Sequence, residues 1–418
     1  MKILVVGSGG REHAIVKKIS ESKRVSKIYC APGNGGISDI AECVPIKVTE
    51  FDKLIEFSLS NKIDLAVIGP DDPLVMGISD EFIKAGIKVF GPTKDGAQIE
   101  GSKVFSKELM KKYGIPTAKY EVFENYEEAL DYITKENTYP TVIKAEGLAL
   151  GKGVIIANDL SEAEAALKEI MLDKVFGDSG NRVVIEEFLQ GPEISVLSFC
   201  DGNTIVPMVS AQDHKRAFDN DMGPNTGGMG TFSPSRIYDK SKQEECMNNI
   251  FKPTVEALKN EGIIYKGVIF FGLMSTKDGV KVIEYNARFG DPETQVVLPR
   301  LKTDIVDIFE AVCDGTLDKI DVEWEDNACV CVVEASGGYP KKYQTGYEIK
   351  GLTDIQENIF VYHAGTKKED NIYYTAGGRV LGITAKSKDL DTAIKDAYNA
   401  VKNITFTDVH YRKDIGVK

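Results

Sequence analysis

Val282-Ile283-Glu284-Tyr285-Asn286-Ala287-Arg288-Phe289-Gly290-Asp291-Pro292-Glu293 decides how the rest of the chain is read. It reads as a buried strand running into a polar turn. Side chains alternate along a strand, so Glu284, Asn286 and Arg288 are expected on one face. A carboxylate beside an amide oxygen suits a hard cation such as magnesium. An arginine just beyond suits a phosphate or carboxylate, which it grips with two parallel hydrogen bonds. Together these point to phosphoryl chemistry. A solvated strand end with unrelated charges would read the same way, so the surrounding segments must choose.

The chain has 418 residues, enough for two or three domains. Its 42% hydrophobic and 28% charged composition is that of a soluble globular protein. With 51 basic and 64 acidic residues, the net charge is -13. That argues against a general nucleic-acid binder, which needs a basic face. A small anionic substrate remains compatible, because local lysines and arginines can make a positive pocket. The seven cysteines have no CxxC pair, so zinc and dithiol redox motifs are absent. Cys329 and Cys331 lie in an apolar run and are expected in a core. A reducing, cytoplasmic setting is the simplest reading. The apolar run at Met1–Gly7 is too short for a secretory signal, and no run approaches a membrane span.

The first hundred residues alternate strands and helices. Ile3–Val6 is a continuous apolar run, as in a strand buried on both faces. Further strands are expected at 27–30, 65–68 and 88–90, with helices near 12–20, 51–60 and 78–85 between them. That is a doubly wound parallel sheet. A helix over 102–113 is stopped by Gly114-Ile115-Pro116. Alternating short elements then run to Gly191, suggesting a small lid over about 117–191. Longer strands at 194–200, 204–209, 267–276 and 280–286 surround a helix over 240–260. The stretch 212–230 reads as one long loop. Strands at 328–334, 360–363 and 379–385 with a helix over 390–403 complete an α+β C-terminal region. The expected domains are 1–102, 103–317 and 318–418.

Gly7-Ser8-Gly9-Gly10-Arg11-Glu12-His13 joins the first strand to the first helix. Glycines there let a backbone approach a phosphate, and the helix start offers free amides. A dinucleotide fingerprint would place glycine where Glu12 stands and an acid after the second strand, where Ala31-Pro32-Gly33-Asn34-Gly35-Gly36 stands instead. A sugar phosphate or small polar substrate fits better; a plain tight turn would also use these glycines. Asp71, at another strand's carboxyl end, can take ribose hydroxyls or a substrate amine, while Asp72 can cap the next helix.

Lys144-Ala145-Glu146-Gly147-Leu148-Ala149-Leu150-Gly151-Lys152-Gly153 departs from a Walker A loop in spacing and in lacking Ser or Thr after the lysine. A glycine hairpin over ATP phosphates would use Lys103 and Lys144 as counter-charges. A flexible hairpin with exposed lysines has the same composition. Glu186-Glu187-Phe188-Leu189 precedes Gly191-Pro192-Glu193, a strand-to-linker segment able to hydrogen-bond adenine, with Glu193 available to ribose hydroxyls. Asp213-His214-Lys215-Arg216 offers three consecutive cation-capable residues for an anion. His214 has no partners at zinc spacing.

These pieces stand in the order lysine-bearing helix, glycine hairpin, adenine linker, metal strand, which resembles the ATP-grasp fold. Gly9–Ala14, Pro32–Gly36, Lys144–Val154, Asp213–Arg216, Thr226–Gly230, Arg288–Glu293 and the closing Tyr411–Gly416 are similar to segments of the phosphoribosylamine–glycine ligase family of purine biosynthesis. The resemblance implies a doubly wound N-terminal sheet, a central ATP-grasp domain with its lid, and an α+β C-terminal domain closing the cleft. It implies ATP as cofactor with Mg2+ or Mn2+ held by Glu284 and Asn286. Lys103, Lys144, Glu146, Gly147, Gly151, Gly153, Glu186, Glu187, Leu189 and Glu193 would line the ATP site. Gly9, Gly10, Arg11, Asn34, Gly35, Asp71, Thr226, Gly227, Asp291, Pro292 and Glu293 would hold the small-molecule substrates, glycine and 5-phosphoribosylamine. Arg288, Asp213 and Lys215 would serve the reacting centre. The family usually has Glu where Asp71 stands, and the strand over 267–276 lacks the acid that many ATP-grasp enzymes place there. No nucleic-acid or membrane partner is expected, a monomer is compatible with the sequence, and oligomeric state is not legible in it. Another ATP-grasp ligase, such as a purine carboxylase, and a non-catalytic nucleotide sensor are the rival readings.

Overall fold

The computed structural model describes residues 1–148, 153–353 and 355–417. Five parallel strands form the first sheet, in the order Glu42–Cys43, Lys27–Pro32, Lys2–Gly7, Leu65–Ile68, Lys88–Phe90. Leu4, Val6, Ala66 and Ile68 are buried on one face and Ile3, Val5, Leu65 and Val67 on the other, which explains the unbroken apolar runs. The chain order reverses on either side of Lys2–Gly7. Ligands of such sheets gather at that switch point, outside the carboxyl ends of the strands. Gly7–Arg11 and Gly69–Asp71 lie there.

The helix Lys103–Lys112 starts where Ser102 caps it, its hydroxyl accepting from Phe105 N at 3.1 Å. The cap fixes the first turn and so fixes Lys103. The lid is an antiparallel sheet, in the order Tyr120–Phe123, Val183–Glu187, Thr141–Ala145, Val154–Ala157. The helices Tyr126–Glu136 and Leu160–Leu167 cover one face of it around a core of their own. A second antiparallel sheet runs Ile205–Pro207, Glu193–Cys200, Gly267–Thr276, Gly279–Asn286. Its register shifts between Gly272, opposite Glu284, and Leu273, opposite Val282. The bulge leaves Ile283 unopposed and re-aims the strand end that carries Glu284 and Asn286. Phe271 and Tyr285 anchor this sheet against Phe251, all of them buried. Full burial of such a ring contributes roughly 1.5–3 kcal/mol.

The stretch 212–230 is not one loop. Gln212–Asp213 and Gly230–Ser233 pair with each other, and the latter pairs with Ala328–Ser336. Arg216–Phe218 and Met222–Asn225 form a separate hairpin. The C-terminal sheet therefore takes two strands from the middle of the chain, followed by Ala328–Ser336, Arg379–Ser387 and Ile359–His363. The helix Leu390–Val401 packs its Ala393, Ala397 and Val401 on that sheet. Cys329 and Cys331 are fully buried, as expected. The helix expected over 240–260 exists but contains a wider turn at Met247–Phe251 between Lys240–Cys246 and Lys252–Asn260.

Candidate active site

Glu284, Asn286 and Arg288 share one face, as the alternation predicts. Arg288 Nη2 donates to Asn286 Oδ1 and to Glu100 Oε1, both at 2.8 Å. The other oxygen of Glu100 accepts from Ala287 N at 2.7 Å. Burial pushes the Glu100 carboxyl up to about 7, against the pull of Arg288. Among the described residues Arg288 Nε is buried without a hydrogen-bond partner. Among the described residues the Glu284 carboxylate accepts no hydrogen bond and forms no ion pair. Burial works against its charge, but Lys215, Lys144, Lys103 and Arg288 outweigh burial and hold it ionised. A donor-free carboxylate beside an amide oxygen with one lone pair left fits a hard divalent cation. Among the described residues no cluster of three or more acidic, histidine or cysteine side chains could hold such an ion alone. An ion here would complete its shell with oxygens of water or substrate.

The lysines converge on the same place. Lys103 Nζ donates to Gly147 O at 2.9 Å, tying the first helical turn to the lid hairpin. Lys144 Nζ lies 3.0 Å from Glu186 Oε1 and 3.3 Å from Ile283 O, next to the strand end. Lys107 Nζ lies 3.0 Å from Glu186 Oε2, the oxygen to which Lys144 Nζ donates at 3.1 Å. Lys107 carries no motif, yet it is almost wholly buried, and burial drops its pKa to about 8. Glu146 is spent within the protein, on the guanidinium of Arg182 and on Ser102 Oγ at 3.0 Å. A Cβ on Gly147 would sit 2.4 Å from Ser179 Oγ, so the hairpin base requires glycine there. Gly153 O accepts from Ala145 N across the hairpin. Gly151 lies outside the described residues. Glu187 pairs with Lys281 at 3.3 Å, Leu189 is half-buried in the linker, and Glu193 pairs with Lys215 at 2.8 Å.

At the switch point the geometry divides the expected substrate residues. Gly9 N donates to Glu12 Oε2 at 2.6 Å, so Glu12 caps its own helix and fills the space between Gly7 and Gly69. Arg11 pairs with Glu12 and donates to Phe289 O at 3.2 Å. A Cβ on Gly9 would stand 3.4 Å from Asp291 Oδ2, and one on Gly10 2.7 Å from Gln295 Nε2. Asp71 faces Arg288 and Arg11, whose charges overcome burial and hold its carboxyl below the usual range. Asn34 instead spends its side chain as a brace. Its amide donates to Ser8 O and His363 O, each at 2.8 Å, and its oxygen accepts from Gly36 N and Ile37 N. Gly35 N donates to Thr366 O, against the hairpin Thr366–Glu369 and Ile372–Thr375.

Asp213, Lys215, Asp291, Pro292 and Glu293 close the far side. Burial raises the carboxyl pKa values of Asp213 and Glu293, with repulsion from Glu293 adding to it at Asp213 and from Asp291 at Glu293. Lys215 has its pKa raised against burial by Glu193, then by Glu284. Of the three consecutive cation-capable residues only Lys215 faces the cleft. His214 turns inward, its ring Nδ1 3.3 Å from Gly230 O, and Arg216 donates to Gly223 O. Thr226 Oγ1 bonds to Lys215 O and accepts from Gly228 N. Gly227 O accepts from Arg379, which also pairs with Asp291 at 3.2 Å. Glu100, Lys107 and Arg379 are thus parts of the site that no motif disclosed.

Three profiles of one family match the chain: the phosphoribosylglycinamide synthetase N domain over residues 1–100, its ATP-grasp (A) domain over 101–294, and its C domain over 329–418. A phosphoribosylamine–glycine ligase of Caldanaerobacter subterraneus is 54% identical over 99% of both chains. One of Escherichia coli O157:H7 is 47% identical over 100% of this chain and 98% of its own. The crystal structure of a phosphoribosylamine–glycine ligase from Thermotoga maritima superposes with a TM-score of 0.86 at 33% identity, covering 99% of this chain and all of that one. With all three domain models matched in order and relatives about half identical along nearly its whole length, the chain belongs to the phosphoribosylglycinamide synthetase family.

Proposed function

We propose that the protein joins glycine to 5-phosphoribosylamine at the expense of ATP, giving glycinamide ribonucleotide, ADP and phosphate, as a cytoplasmic step of purine biosynthesis. A glycine carboxylate resists attack by an amine because it is anionic and has a poor leaving group. Transfer of the γ-phosphoryl group to it makes glycyl phosphate. The amine then attacks the carbonyl carbon, the C–O bond to phosphate breaks, and the amine loses a proton as the amide forms.

Glu284 and Asn286 would hold Mg2+ or Mn2+, which when bound neutralises phosphate charge. Lys103 and Lys144 meet the polyphosphate from the helix and the lid. Arg288 faces the forming acyl phosphate, held in place by Glu100. Charge stabilisation by such preplaced groups is the main lever in phosphoryl transfer. Gly9, Gly10, Arg11 and Asp71 support binding of the phosphoribosyl group at the switch point. Asp213 and Glu293, with their raised pKa values, are suited to receive a proton from the attacking amine. The lid excludes water, which would otherwise hydrolyse the acyl phosphate.

The observation that carries this reading is the ionised, donor-free Glu284 ringed by Lys103, Lys144, Lys215 and Arg288. An ADP-release assay with each substrate omitted in turn tests it. ADP formation should require both glycine and phosphoribosylamine for sustained turnover. ADP released with bicarbonate in place of glycine would assign the site to a carboxylase instead.

A further inference from the structure

The C-terminal domain reaches into this site through Arg379. Arg379 begins the strand Arg379–Ser387, beside a register shift where Ala335 opposes it. The irregularity lets Arg379 leave the sheet and enter the cleft. Its Nη1 donates to the carbonyls of Gly227, Gly228 at 3.4 Å and Asp291 at 3.1 Å. Its Nη2 pairs with Asp291 Oδ2 at 3.2 Å. A Cβ on Gly227 would lie 3.0 Å from the guanidinium carbon, so glycine is what leaves room for it. The amide of the same Gly227 donates to Tyr339 OH at 3.1 Å. The backbone of one residue is therefore held at both its N–H and its C=O by residues of the C-terminal domain.

The segments so joined are those nearest the carboxylates. A Cβ on Gly228 would stand 2.9 Å from Asp213 Oδ1. Asp213 and Glu293 both interact with the charge of Arg379, as does Asp291. Lys103, Lys144 and Glu186 make no hydrogen bond to it. An ammonium or amine group seeks carbonyl and carboxylate oxygens, and this corner is built of them. We infer that Arg379, with Tyr339, is a positioning residue through which the C-terminal domain shapes the pocket for the amine-bearing substrates and leaves the nucleotide site alone. The inference rests on the ligase reading above.

Full-length Arg379→Gln, Arg379→Lys and Tyr339→Phe proteins, assayed with each substrate varied in turn, test this. Loss of a charged, multidentate donor should raise KM for glycine or phosphoribosylamine about tenfold or more in Arg379→Gln. Affinity for ATP, measured directly without glycine, should stay within about twofold of wild type, whereas a merely structural defect would weaken both. Arg379→Lys should recover part of the loss, and Tyr339→Phe should show a smaller shift in the same direction, which covers the case of Arg379→Gln failing to fold. Unchanged amine-substrate KM values, or ATP affinity falling in parallel, would overturn the inference. Wild-type protein without glycine-dependent ADP release would instead overturn the ligase reading, before any variant is compared.

Discussion

Glu284→Gln is the most searching single substitution. It keeps the shape of the side chain and removes one negative charge from a point facing Lys103, Lys144, Lys215 and Arg288. No protein donor is orphaned, because among the described residues none bonds to this carboxylate. Fold stability should therefore change by no more than about 1 kcal/mol. Nucleotide affinity should also hold within about threefold, since the cations that meet the phosphates remain and lose only a competing anion. The transition state is where the loss falls. Removing one preplaced electrostatic group from such a site costs about 3–4 kcal/mol, or about 10²–10³-fold in kcat. ADP release followed across a Mg2+ titration, beside direct nucleotide binding and thermal unfolding, reads all three quantities. A variant that keeps half the wild-type kcat with an unshifted metal requirement would refute the reasoning.

Lys144→Ala removes a cation lying 3.0 Å from Glu186 Oε1. KM for ATP should rise about tenfold or more while glycine KM holds, and an unmoved ATP requirement would take Lys144 out of the nucleotide site. Gly228→Ala must fit a Cβ 2.4 Å from Pro292 Cδ at a φ of +107°. It should lose about 2–4 kcal/mol in urea unfolding, and wild-type stability would contradict the packing described. His13 and His363 sit buried at the junction of the N- and C-terminal domains, where His363 N donates to His13 Nδ1 at 2.8 Å. Burial is the main cause holding their pKa values down, to about 3 and about 4, with Asp39 opposing in both cases. The native state stays neutral while the unfolded chain takes up protons below the ordinary 6.5. Stability is thus intact above that pH and should fall by up to about 1.4 kcal/mol per pH unit per histidine between there and the depressed values. A His13→Asn, His363→Asn double variant should flatten that acid limb of the unfolding midpoint, and an unaltered limb would rule the pair out as its source.

Regular elements were legible wherever the pattern was local. The strands Leu65–Ile68, Lys88–Phe90 and Gly267–Thr276 stand where the apolar pattern places them. Glu284, Asn286 and Arg288 share a face because a strand's period of two survives the bulge at Ile283. The short strands within 212–230 were not legible. Two to four residues carry no periodicity, and Gly230–Ser233 finds its partner about a hundred positions later in Ala328–Ser336. The hidden site residues fail for the same reason. Arg379 meets Gly227 across 152 positions, and Arg288 meets Glu100 across 188. Lys107 reads as an ordinary amphipathic-helix lysine until burial against Glu186 is seen. Asn34 looks like a loop group free to bind, but its bonds to Ser8 and His363 consume it. Glu12, which stands where a dinucleotide fingerprint has glycine, fills the space between Gly7 and Gly69 and accepts from Gly9 N.

The ligase reaction proposed for this cleft requires glycine to be activated by phosphoryl transfer to its own carboxylate. Glycine labelled with ¹⁸O in its carboxyl group, turned over with ATP and phosphoribosylamine, measures this directly. One carboxyl oxygen should remain in the amide and the other should appear in inorganic phosphate, one label per turnover. Phosphate free of ¹⁸O, formed together with the amide product, would mean that the phosphoryl group never reached the carboxylate.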